Sequence, residues 1–330
     1  MRSRLVQRYL IIFFVGGLFT SIVVFFSAMV NGNLSYNFWI FRCDASGYSD
    51  THYLSYCADP AYGDYEHLAM YGGLEPEAIR HLKKADILFL GNSKTRRAFS
   101  AAAVDAYFDP LDLQTYNLGF GYGEYDIFPR ALIQKHQLAP RVMIINADYF
   151  FYNSMSIAAK DAVADVEDDI GFAVRLKKNV QKWHRDYCGS SDKSTLLDMI
   201  CQQNSVSLFR SRIDGDTIFL HIDESSKIPA KFIEQPRDID VDVYIKNAKR
   251  FLAGIRIEPR CVFLTVIPSV VTDRRVAQEV STALQLSYVE TAVTSYTTYD
   301  GNHLGSESAE AWVSEFLKIA GSDIVSCAQQ

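Results

Sequence analysis

What this 330-residue chain lacks narrows its chemistry before any residue is given a role. None of its six cysteines forms a Cys-x-x-Cys pair, which argues against a zinc ribbon. The stretch Gly91-Asn92-Ser93-Lys94-Thr95 is not a phosphate-binding loop. With Lys94-Thr95 as the end of such a loop, its two glycines would fall on Leu88 and Ser93. The same five residues miss the Gly-x-Ser-x-Gly nucleophile elbow, because Thr95 stands at the final glycine. Basic residues are also in short supply. The first 30 residues hold Arg2, Arg4 and Arg8 and no acid, so the remainder carries 30 basic against 39 acidic side chains, a net −9. That balance is a poor electrostatic match for nucleic acid.

What is present begins with a hydrophobic run. Leu10 to Val30 is 21 residues without a charged side chain, enough for a helix to cross a hydrocarbon core of roughly 30 Å. A cleaved signal peptide has a shorter apolar region and a small-x-small site, of which Ser27-Ala28-Met29 is a poor version. Residues 10–30 therefore read as an uncleaved transmembrane anchor, with residues 1–9 cytoplasmic by the positive-inside rule. Everything after Asn31 is then expected in a periplasmic or extracellular space, as part of a single-pass membrane protein. All six cysteines follow the span, and an oxidising compartment favours disulfides. Proximity in sequence suggests Cys43–Cys57 and Cys188–Cys201, which leaves Cys261–Cys327; free buried thiols are the other reading.

At 48% hydrophobic residues the chain can bury a full core, and one large domain with extras fits its length. Residues 31–82 read as an irregular lead-in, apart from a short helix starting at Glu75. Apolar strands are expected at Asp86–Leu90, Thr115–Leu118, Val142–Ile145 and Cys261–Ile267, and helices of about 10–15 residues at Ser93–Tyr107, roughly Tyr125–Gln137, Asp242–Ile255, Val276–Leu286 and, closing the chain, Ala309–Ile319. Such unalternating strands indicate a mostly parallel sheet covered on both faces, hence a three-layer α/β/α fold. Residues 83–330 form this domain, interrupted at about 151–237 by a polar insertion over the carboxyl edge of the sheet. Its charge runs, at Asp161–Asp169 and Arg175–Lys182, read as solvated helix faces.

Two segments carry chemistry. Ser93 follows the apolar run Ile87-Leu88-Phe89-Leu90 at a strand-to-helix turn, as a nucleophile or as a helix N-cap. Far downstream, Asp300 and His303 stand three apart in a Gly/Asn loop, where a carboxylate can orient an imidazole that takes the serine proton. Arg96 and Arg97, one turn past Ser93, read either as contacts to an anionic substrate or as a solvated first turn. Tyr149-Phe150-Phe151-Tyr152 reads as core or lid packing, or as a platform for sugar rings.

On these residues the chain resembles the SGNH (GDSL-type) hydrolase superfamily, particularly membrane-anchored members acting on envelope polysaccharides. The first block is matched by Gly91-Asn92-Ser93-Lys94, with Asn92 where the family usually has Asp, and the last by Asp300 and His303. The second is matched by Asn117-Leu118-Gly119, and the resemblance implies an oxyanion donor at the Gly119 N–H. The third departs from the family's Gly-x-Asn-Asp: in Asn146-Ala147-Asp148 the in-register residue is Asp148, and Asn146 stands two earlier. A carboxylate cannot donate unless protonated, so the side-chain donor is Asn146 or Asp148, and the Ser93 N–H completes the hole.

The resemblance implies a serine acyl esterase or O-acyltransferase working through an acyl-serine, without metal or organic cofactor. The expected partners are a cell-envelope glycan or acylated carbohydrate and a membrane-embedded acyl-donor protein. The other reading is a non-catalytic glycan-binding or scaffold protein that keeps the fold.

Overall fold

The structure, a computed structural model, describes residues 43–59, 62–99, 101–167, 205–233 and 239–330, together with residues 16, 17, 179, 182, 184, 186 and 187. The expected anchor at 10–30 apart from residues 16 and 17, Cys188, Cys201 and most of the Arg175–Lys182 run lie outside the described residues. Among the described residues, no helix is long and apolar enough to cross a membrane.

In chain order the elements are β1 (His52–Cys57), β2 (Gly63–Asp64), α1 (Glu66–Gly72), α2 (Pro76–Leu82), β3 (Ile87–Gly91), α3 (Ser93–Ala98), α4 (Ala101–Phe108), β4 (Thr115–Gly119), α5 (Ile127–His136) and β5 (Val142–Asn146). They continue with α6 (Ile157–Glu167), β6 (Ser207–Ser211), β7 (Thr217–Leu220), β8 (Ile228–Pro229), α7 (Val241–Leu252), β9 (Val262–Thr265), α8 (Arg275–Leu284), β10 (Ser287–Tyr288), β11 (Thr297–Thr298) and α9 (Ser306–Ala328).

The molecule is mixed α/β around a five-stranded parallel sheet of order β10-β9-β5-β3-β4. Its central strands are apolar without alternation because both faces are covered. Leu88, Leu90, Met143 and Ile145 share one cluster with Phe128, Leu132, Phe251 and Val280 of α5, α7 and α8. Ile87, Phe89, Val142 and Ile144 point the other way, toward Val104 and Phe108 of α4 and Trp312, Phe316 and Ile324 of α9. The strand order reverses between β3 and β5. In open α/β sheets the crevice outside the carboxyl ends at such a switch point receives ligands.

Residues 31–82, expected to be irregular, supply half of a second sheet. β1 pairs antiparallel with β2 and β6, and β6 with β7, giving the order β2-β1-β6-β7. β1 and β2 precede β3 whereas β6 and β7 follow α6, so the pairing of β1 with β6 has no local signal. Cys43–Cys57 anchors β1 at its end, and Cys261–Cys327 ties the end of α9 to the start of β9, with Cα separations of 5.8 and 5.6 Å. The helix expected from Ser93 to Tyr107 is two, because Phe99 leaves helical geometry (ψ 76°) to bury its ring between Phe89 and Trp312. Phe150 and Phe151 pack on Phe251, which settles those two as core; Tyr152 is exposed.

Candidate active site

β3 delivers Ser93 to the carboxyl edge through a tight turn. Gly91 sits at φ 150°, and a Cβ there would lie 2.1 Å from Thr95 Oγ1, so only glycine admits this approach. Asn92, not Ser93, caps the following helix: its Oδ1 accepts the Lys94 N–H at 3.0 Å. With the cap supplied by its neighbour, the Ser93 hydroxyl meets His303 Nε2 at 2.7 Å.

The loop bearing His303 is braced from within and from outside. Asp300 Oδ1 accepts the N–H groups of Asn302 and His303 at 2.9 and 2.8 Å, and Oδ2 accepts His303 Nδ1–H at 2.7 Å. A proton on Nδ1 leaves the Nε2 lone pair for the Ser93 hydroxyl. The Tyr299 ring stacks on His303 at 5.7 Å. Burial lowers the pKa of His303 from its usual 6.5; the bond to Asp300 opposes that, and the cations Lys94 and Arg96 reinforce it. Burial pushes Asp300 up, but the bonds from His303 and Asn302 outweigh it, and its pKa ends below the usual carboxylate value. At neutral pH the pair is therefore a neutral imidazole beside an ionised carboxylate. The structure thus brings Ser93, His303 and Asp300 together from 210 residues apart.

The expected oxyanion donors fare differently. No acceptor among the described residues takes the Ser93 N–H, which stays available. Gly119 does not: its N–H donates to Asn117 Oδ1 at 2.8 Å. Its lack of a side chain serves packing instead, since a Cβ would lie 2.4 Å from the Arg96 nitrogen of α3. Asp148 is ruled out as donor, because its carboxylate pairs with Lys94, whose ammonium also reaches Ser269 Oγ at 3.3 Å. Asn146 is buried at the end of β5. Its Oδ1 accepts the Ile267 N–H at 3.2 Å, which turns the amide NH₂ toward Asn92 Oδ1, a long contact of 3.5 Å.

Neither arginine is a solvated first turn or a free anion contact. Arg96 is buried and pairs with Glu66, which also accepts from Arg210 Nη1 at 3.1 Å and from the Gly121 N–H at 3.1 Å. Arg97 pairs with Glu224, donates to Leu304 O at 3.3 Å and Ser306 Oγ at 2.8 Å, and lies 4.6 Å over the Phe219 ring. It clasps the His303 loop to the second sheet. Both guanidiniums satisfy local acceptors because the second sheet covers this helix turn, which sequence alone did not reveal.

Glu66, Arg210 and Arg97 are the residues that sequence reasoning missed or misassigned. His67, read as an unremarkable lead-in residue, is fully buried between Asp64 (2.9 Å) and Glu124 (3.2 Å). Burial lowers its pKa, but these carboxylates outweigh that and raise it to about 10. Asp64, Glu66 and His67 lie close enough to share an ion, yet both ring nitrogens and the Glu66 oxygens already bond within the protein.

Ser93 and His303 open onto a cleft of about 250 Å³. Asp64, Glu66 and Arg96 line it, with Tyr299 stacked on the histidine and Tyr56, Leu208 and Phe219 from the second sheet. Tyr122, at φ 58° and exposed, stands in the same lining. Comparisons with protein-family models, curated proteins and solved structures give no match for this chain.

Proposed function

We propose that the chain is a membrane-anchored, extracytoplasmic serine acyl esterase or O-acyltransferase, of SGNH type with a three-layer α/β/α domain, acting on a cell-envelope glycan. The observation that carries the reading is the continuous chain from Ser93 Oγ through both nitrogens of His303 to Asp300, each link 2.7 Å. Such a relay is the minimal apparatus for activating a hydroxyl nucleophile.

In this reading Ser93 Oγ attacks the ester carbonyl while His303 Nε2 takes its proton. Asp300 keeps the Nδ1 proton in place and offsets the imidazolium charge. The oxyanion is held by the Ser93 N–H and the Asn146 amide, a hole of two donors. The tetrahedral adduct collapses to an acyl-serine as His303 protonates the departing alkoxide. Water or a sugar hydroxyl then gives its proton to His303 and attacks the acyl carbon, and His303 passes that proton to Ser93 Oγ as the acyl–serine bond breaks. Water makes the enzyme an esterase; a sugar hydroxyl makes it a transferase, drawing acyl groups from a membrane-embedded donor protein. The 21-residue apolar run and the arginines before it support the placement at a membrane surface.

One observation favours the second reading, a non-catalytic glycan-binding protein: the Gly119 N–H is committed to Asn117. The comparison of Ser93→Ala cells with wild type separates the readings. Envelope acyl groups lost in the variant indicate a transferase, and acyl groups accumulating indicate an esterase. Unchanged acylation contradicts both catalytic forms.

A further inference from the structure

The second sheet faces the cleft with one rung of side chains contributed by three strands. In the β1–β6 register Tyr56 stands opposite Leu208, and in the β6–β7 register Leu208 stands opposite Phe219. Directly opposed side chains on one face of an antiparallel pair touch as a unit. All three line the cleft that Ser93 and His303 open onto. The next residue on β6, Phe209, alternates to the other face, where it is fully buried in a separate cluster with Tyr53 and Tyr65. The rung is thus an apolar surface left half-buried on the cleft side while its back is packed.

The charged residues in the lining have partners within the protein: Arg96 and Glu66 pair with one another, and Asp64 accepts from His67 Nδ1 at 2.9 Å. What the cleft offers beside the nucleophile is therefore apolar. Its size is bounded: about 250 Å³ is below the ~300–1,000 Å³ common for drug-sized ligands. A cleft of that size suits a short acyl tail better than a long one.

We propose that the Tyr56–Leu208–Phe219 rung is the acyl-recognising wall of this cleft and selects a short linear acyl group longer than acetyl. The inference rests on the acyl-transfer reading above and adds its acyl class and specificity residues. Arg97 couples this wall to the base, because its guanidinium lies over Phe219 while its Nε holds Leu304 O beside His303.

The test uses the full-length chain with p-nitrophenyl acetate, butyrate, hexanoate and decanoate, the rate of Ser93→Ala being subtracted. Wild type is expected to show kcat/KM for butyrate or hexanoate about 10-fold or more above acetate, the discrimination a methylene commonly gives in an apolar pocket, and to fall off again at decanoate. Leu208→Trp fills the rung and should bring butyrate and hexanoate down to the acetate level while acetate turnover persists. Leu208→Ala enlarges it and moves the optimum to longer chains, deciding the matter should the tryptophan variant not fold. Ser93-dependent turnover that favours acetate, or a chain-length profile unmoved in both variants, overturns this proposal and leaves the enzyme reading intact. Absence of any Ser93-dependent turnover overturns both.

Discussion

Ser93 Oγ sits 2.7 Å from a half-buried imidazole whose far nitrogen is held by a carboxylate, and each of the three groups is expected to matter by a different amount. Ser93→Ala should lower kcat by about 10⁴–10⁶-fold in an ester-hydrolysis assay, and Asp300→Asn by about 10⁴-fold, through the wrong tautomer. Asn146→Ala removes one of two oxyanion donors and should cost about 10²–10³ in kcat with little change in KM. The pH profile follows from His303. Its pKa lies below 6.5, so the neutral base persists through neutral pH and kcat/KM falls only as pH drops below that value. Asp300→Asn removes the partner that raises this pKa, so the acid limb should move lower still. The triad was legible because Asp300 and His303 are three apart and Ser93 ends an apolar run. Gly119 was not: its N–H partner is a side chain two residues back, and whether Asn117 folds onto it is invisible in a string of letters. Asp148 failed for a similar reason, its counter-ion Lys94 lying 54 residues upstream.

The elements around the site were readable where their signal was local. Strands β3, β4, β5 and β9 fall where unbroken apolar runs predict them, and α5, α7 and α8 near their expected places. β1 and β6 were not foreseen as partners, since their pairing joins residues about 150 apart and depends on no turn. The last helix runs to Ala328, beyond the expected Ile319, because Ile324 and Ala328 stay buried and Cys327 is bonded to Cys261. Two expectations belong to this scale. Arg97→Ala removes the guanidinium that holds Leu304 O and Ser306 Oγ beside His303, leaving only the direct Ser306–Glu224 bonds, and should reduce kcat by about 10²-fold with Ser93 labelling slowed in proportion. Replacing Cys261 and Cys327 by alanine opens a loop of 66 residues and should lower unfolding stability by about 4 kcal/mol, read by denaturant titration.

For the whole molecule, the parallel sheet carries Ser93 and the second sheet brings Tyr56, Leu208 and Phe219 to the same cleft, so the cleft draws on both sheets. The unalternating apolar strands between helices announced the α/β class, but the cleft wall combines residues before β3 with residues after α6, an arrangement without a sequence signature. With the proposed anchor, full-length protein should sediment with membranes and leave them in detergent but not in high salt, whereas a chain lacking residues 1–30 should stay in the supernatant. The central claim, that Ser93 is a nucleophile activated by His303 and Asp300, is met most directly by fluorophosphonate labelling of the full-length chain followed by peptide mass mapping. The predicted result is a single phosphonate adduct on Ser93, lost in Ser93→Ala and strongly slowed in His303→Ala. No adduct under conditions that label an ordinary serine esterase, or an adduct that persists in Ser93→Ala, would contradict it.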